Sequence, residues 1–198
     1  MTILEAHREF KFRLDKMDAL NYPNFLPEEI DLVLNNAQER FIKQRYGVNN
    51  IKRQSFEETQ KRTEDLKNVT INAVLTPLAY ASDNIDLNAR FLTLPTNHWF
   101  TVQERCNITC TICGSSVTNL VEVIPTSHSE FSKVIKDPFK QPTETKVLRL
   151  MEAGRVELIS SCTIVDYRMR YVKQPTPVSI TTKTTFELSE HTHSEIVN

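Results

Sequence analysis

Glycine is scarce in this chain. Gly47, Gly114 and Gly154 are the only three in 198 residues. A Walker loop and a dinucleotide-binding fingerprint each need several glycines in a short span, so neither can be written here. Long apolar runs are also missing, and nothing approaches the roughly 18–20 residues that cross a bilayer as a helix. The first ten residues carry Glu5, His7, Arg8 and Glu9 and lack the apolar core of a signal peptide. Synthesis in a cytoplasm is the expectation, and with it four reduced cysteines. A charge excess of one sign is absent too: 24 basic residues face 25 acidic ones, for a net charge of -1. A dedicated nucleic-acid binder carries a basic excess or stripe instead. No nucleophile elbow and no H-E-x-x-H pattern occurs.

What is there reads as a folded chain. Hydrophobic residues make up 39% and charged residues 25%, a globular balance. The length suits one domain, or a domain with an insertion, and a core that needs no metal or disulfide. With so little glycine, turns fall to the nine prolines and to Asn, Asp and Ser.

The first third has helical spacing. Phe10, Leu14 and Met17 recur at four and three within a helix predicted over Leu4–Leu20. Pro27 suits a first helical position, with Glu28 and Glu29 at the positive end of the dipole. Ile30, Val33, Leu34, Ala37 and Phe41 follow as its apolar stripe, and Gly47 as its C-terminal cap. A third helix is expected from Ser55, whose spacing to Glu58 fits a capping box, to Val69. Its i,i+4 pairs are Glu57–Lys61 and Glu58–Arg62.

Near Thr70 the period changes to two. Strands are predicted around Ile71–Leu75, Arg90–Leu94, Trp99–Arg105, Leu120–Ile124, Val147–Leu150, Arg155–Ser160, Val165–Tyr171 and Val178–Thr185. In Val165–Tyr171, Val165, Tyr167, Met169 and Tyr171 take one face, and Asp166, Arg168 and Arg170 the other. A short helix capped by Ser189 closes the chain and needs an apolar partner among the first helices. The pattern implies an α+β fold. N-terminal helices over 1–69 and a short C-terminal helix over 188–198 pack together, with an antiparallel β-sandwich or barrel-like module inserted over 70–187.

Cys106-x3-Cys110-x2-Cys113 resembles the cluster loop of radical-SAM enzymes, where three thiolates hold a [4Fe–4S] cluster. That family needs a long series of βα units after the motif, whereas 84 residues follow Gly114 here, in strands. On one continuous strand Cys106 and Cys110 face one way and Cys113 the other, so the sulfurs diverge and pack as small apolar groups. A zinc site adding Cys162 or a histidine is the remaining variant of this alternative, without finger or ribbon spacing. His191 and His193 lie about 200° apart on a helix, a poor arrangement for sharing a metal. No catalytic, cofactor-binding or metal-ligating set follows from these residues.

A second set of phrases runs through most of the chain. It comprises Leu34 to Glu39, Phe56 to Arg62, Pro125 with His128 and Glu130, Asp137 to Pro142 and Arg149. Tyr167, Arg170, Tyr171, Pro175 and Pro177 follow, then Glu187 to Ile196. In this order they resemble the ring, or head-to-tail connector, proteins of crAss-like and related short-tailed phages. The resemblance covers roughly residues 10–197 and leaves the cysteines outside its pattern. It implies a non-enzymatic virion protein without cofactors, assembled in the host cytoplasm as a cyclic homo-oligomer of about twelve copies. The partners it implies are the portal and other neck or tail proteins, with DNA only passing through the channel and no membrane. Contact residues are expected at Asp137, Pro138, Phe139, Pro142, Pro175 and Pro177, because proline-bracketed segments are pre-organised for docking. Phe139, between prolines, either anchors a neighbouring copy or fills its own core.

Overall fold

The computed structural model describes residues 1–17, 25–47, 59–78, 86, 88–112, 114–152 and 154–197. The chain forms two compact units: residues 1–70 with 173–198, and residues 71–172.

In the first unit, α1 spans Ile3–Met17, α2 Pro27–Tyr46 and α3 Gln60–Leu66. The 3-10 turn Glu190–Thr192 leads into α5, His193–Ile196. The element α2 is central and touches α1, α3 and α5. Pro27 opens it as expected, and Glu29 accepts the Leu26 N–H at 2.9 Å. Gly47 ends it with an N–H bond to Lys43 O at 2.9 Å, and a Cβ there would meet the same carbonyl. The buried face is Ile30, Leu34, Phe41 and Ile42. Val33, placed in the stripe by periodicity, is half exposed. The face is rotated because α2 buries Asp31 and Gln38 instead, for a polar reason. Asn35 Nδ2 donates to Val178 O at 3.0 Å, and Asn35 Oδ1 accepts the Val178 N–H at 2.7 Å. The Ile180 N–H donates to Asp31 Oδ2 at 3.0 Å, and Asp31 Oδ1 meets His7 Nε2 at 2.7 Å.

These bonds explain why no strand forms over Val178–Thr185. The segment from Lys173 onward lies with the helices, and its backbone is bonded by α2 side chains. A single bridge, Ser179–Thr184, is all the ladder it makes. Ser189 does not cap a helix by its side chain; its Oγ donates to Glu64 O at 3.1 Å. The C-terminal helix packs on the N-terminal helices. Arg45 of α2 pairs with Asp65 of α3 at 3.0 Å and with Glu195 of α5, and His191 meets Asp65 at 3.0 Å. Ser55, Glu57, Glu58 and the start of the Phe56 phrase lie outside the described residues.

The second unit is a curled seven-stranded sheet. Its strands are β1 Thr70–Leu75, β2 Ala89–Thr93, β3 His98–Ile112, β4 Ser115–Pro125, β5 Lys146–Glu152, β6 Arg155–Ile159 and β7 Thr163–Lys173. Their order is β1-β7-β3-β4-β5-β6-β2. Leu78, three residues past β1, donates its N–H to Phe91 O of β2 at 2.8 Å. Three residues reach about 10 Å, so the two edges of the sheet approach each other. One face encloses Leu92, Ile108, Val121, Val147, Leu158, Tyr167 and Met169 as a core.

Two of the scarce glycines close hairpins. Gly114 and Gly154 have φ of 80° and 83° and end the two-residue turns between Ile112 and Ser115 and between Glu152 and Arg155. That backbone favours a residue without a Cβ.

The sheet is not wholly antiparallel. Strands β4 and β5 pair in parallel, Val123 opposite Val147. Parallel neighbours need a crossover, and residues 126–145 supply it. Within it lies α4, His128–Val134, which the strand pattern did not reveal. Phe131 of α4 is buried in a second core with Ala89, Leu148, Leu150 and Ile159.

Candidate assembly surface

The crossover that carries α4 also carries the Asp137–Pro142 phrase. After α4 the backbone turns at once: the Ile135 N–H donates to Phe131 O at 3.0 Å and the Asp137 N–H to Val134 O at 3.2 Å. Asp137 then organises the loop. Its Oδ1 accepts the Phe139 N–H at 3.0 Å, and its carbonyl accepts the N–H groups of Lys140 and Gln141 at 3.0 and 2.9 Å. Lys146 Nζ donates to Phe139 O. Pro138 fixes one more dihedral.

On this held backbone Phe139 is 88% exposed. The ring therefore lies on the surface and does not fill the core of its own chain. Beside it runs a groove lined by Ile124, Val134 and Leu148, with Lys133, Lys140 and Lys146 and the carboxylates Glu130 and Asp137 around it. Of the other sequence-chosen residues, Pro138 and Pro177 are exposed, Asp137 and Pro142 are half buried, and Pro175 is buried in its own unit. The structure brings Asp137, Pro138, Phe139 and Pro142 together on one loop.

The remaining phrases brace the units from inside. Arg149 of β5 pairs with Glu104 of β3 at 3.1 Å, with both side chains nearly buried. Burial pushes the Glu104 carboxyl up, and the Arg149 guanidinium and the Tyr167 hydroxyl draw it partly back. Tyr171 donates its hydroxyl to Asn97 Oδ1 at 2.9 Å, and Arg170 Nε donates to Asn72 Oδ1 at 3.0 Å. Glu187 accepts from Lys173 at 3.0 Å and from the Thr176 hydroxyl at 2.8 Å. The row Asp31, Asn35, Gln38 went unread in the sequence. Its spacing of four and three on one helical face was the available signal.

The cysteines behave differently from the expectation of four thiols. Cys110 of β3 and Cys162, just before β7, form a disulfide across 52 residues of chain. β3 and β7 are neighbours in the sheet, which brings the two Cα atoms to 5.0 Å, within bonding geometry. Cys106 faces the same core as Cys110, as strand alternation requires, and is buried. Burial, with the Asp166 charge adding to it, pushes its thiol up to about 12, so it stays a thiol at neutral pH. Cys113 lies outside the described residues. The three-cysteine ligand set is therefore broken by the Cys110–Cys162 bond. Among the described residues, no group of three or more His, Cys, Asp or Glu side chains could hold a metal ion. No helix among them is long and apolar enough to cross a membrane.

A helical unit, a curled sheet and a presented aromatic loop define a structural building block. Comparison with known proteins gives the class its family. The family described as phage tail ring protein 3/4 matches residues 1–197, and the chain belongs to it. Ring protein 3 of Bacteroides phage crAss001 is 30% identical over 165 residues, covering 79% of this chain and 70% of that protein. Ring protein 4/5 of the same phage is 24% identical over 200 residues, covering 97% and 80%.

Proposed function

We propose that this ring protein forms a closed homo-oligomeric ring in the phage neck, of about twelve copies, linking portal to tail without enzymatic activity. Membership of the tail ring family over residues 1–197 supports a structural component of the phage particle. The exposed ring of Phe139 on its hydrogen-bonded loop is the observation that carries the docking role. A closed ring joins two different patches of each subunit, and Asp137, Pro138, Phe139 and Pro142 form one of them. Pro177 extends the contact; Pro175, buried in its own chain, shapes the segment from within. Net charge near zero suits packing against many identical copies. The free subunit stays monomeric until the portal templates the ring, because ordering costs exceed the gain from a single interface. DNA passes through the channel and makes no specific contact.

Mass spectrometry of purified particles, with labelled negative-stain images of the neck, tests this. A ring of label between head and tail is expected. Particles lacking the chain, or label confined to the distal tail, would overturn the proposal.

A further inference from the structure

The groove beside Phe139 has a chemical counterpart elsewhere in the chain. The N-terminal half of α2 exposes Leu32 at 63% and Val33 at 46%, and Leu26, just before it, is exposed at 62%. Glu28 and Glu29 are exposed among them. An apolar helix face edged by carboxylates is thus left in solvent. The groove offers a partial inverse: apolar walls from Ile124, Val134, Leu148 and Phe139, with Lys133, Lys140 and Lys146 outnumbering Glu130 and Asp137 in its lining.

We infer that the N-terminal half of α2 of one copy docks into the groove beside Phe139 of the next copy. This rests on the ring reading and names the two patches that the ring joins. Leu32 and Val33 enter the groove against the Phe139 ring, an amphipathic helix laid into an apolar trough. Glu28 meets the lysines of the rim, which fixes direction along the groove. The two patches differ and lie on different elements, so each copy gives one and receives one. That is the head-to-tail contact a closed ring requires.

The test places a photo-crosslinking benzoylphenylalanine at position 139 in the full-length chain, co-produced with the phage's other particle proteins. After irradiation, purified particles should yield multimers of the chain, with peptides joining position 139 to residues 26–33. Crosslinks within one copy, or to another part of a neighbour, overturn the docking while leaving the ring reading intact. Crosslinks only to a different protein overturn it too. Failure of the ring reading shows separately, as particles without the chain in the neck. A second arm uses charge: Lys133→Glu should lower incorporation on the order of tenfold, and adding Glu28→Lys should restore it. Equal or deeper loss in the double variant counts against the contact.

Discussion

Arg149 of β5 and Glu104 of β3 meet at 3.1 Å with both side chains nearly buried, two strands apart in the sheet. Each charge is tolerable there only because of the other. Arg149→Leu leaves a buried carboxylate without its cation and should cost about 3 kcal/mol, the low end for a broken buried pair. Replacing both, as Glu104→Leu with Arg149→Leu, should recover much of that loss. Urea denaturation of the four variants measures the coupling.

Phe131 and Phe139 sit eight residues apart and should respond in opposite ways. Phe131 fills the core under α4, so Phe131→Ala should destabilise by about 3–4 kcal/mol. Phe139→Ala removes an exposed ring, so folding stability should stay within about 0.5 kcal/mol. Incorporation of that variant into particles should nevertheless fall. A Phe139 variant that unfolds the monomer would place the ring in the core, and one that assembles normally would remove the loop from the interface.

The Cys110–Cys162 bond closes a loop of 52 residues. Constraint of the unfolded chain by such a loop stabilises by up to about 4 kcal/mol. Cys110→Ser and Cys162→Ser should each lose most of this, and the double variant no more than either single one. Intact mass after alkylation of the unreduced, unfolded chain should show these two sulfurs protected. Labelling of both would remove the bond.

His193 is the group to follow in acid. Burial holds its imidazole below the ordinary histidine value, although its hydrogen bond to Leu188 O opposes this. The folded chain therefore binds this proton less readily than the unfolded chain. Its cost to stability is absent above about pH 6.5 and grows as the pH falls from there toward the folded value. His193→Gln keeps a donor and cannot titrate. The drop in denaturation midpoint between pH 7.5 and 5.5 should be smaller in that variant than in the wild type. Equal drops would clear His193 of the effect.

Local pattern was enough for most of the elements. Alternation placed seven strands, and Tyr167, Met169 and Tyr171 show it directly, whereas Val165, read onto the same face, is exposed and Ile164 is buried instead. Pro27 announced α2, whereas the hairpins at Gly114 and Gly154 were not read, since turns were assigned to Pro, Asn, Asp and Ser. The Asp137–Pro142 phrase announced its own loop, since Asp and Pro act on their nearest neighbours. Apart from the packing of the C-terminal helix on the first helices, what depends on distant partners was hidden. The helix α4 is seven residues long and holds its place through Phe131, so its spacing alone carried little. Residues 178–185 alternate like a strand, yet Asp31 and Asn35, more than 140 residues away, hold segment 178–180 against α2. Cys110 found Cys162 because β3 and β7 are neighbours, which no spacing rule states. Whether Phe139 belonged to core or surface was likewise settled only by tertiary structure: α4 covers the sheet through Phe131, and Phe139 is left in solvent.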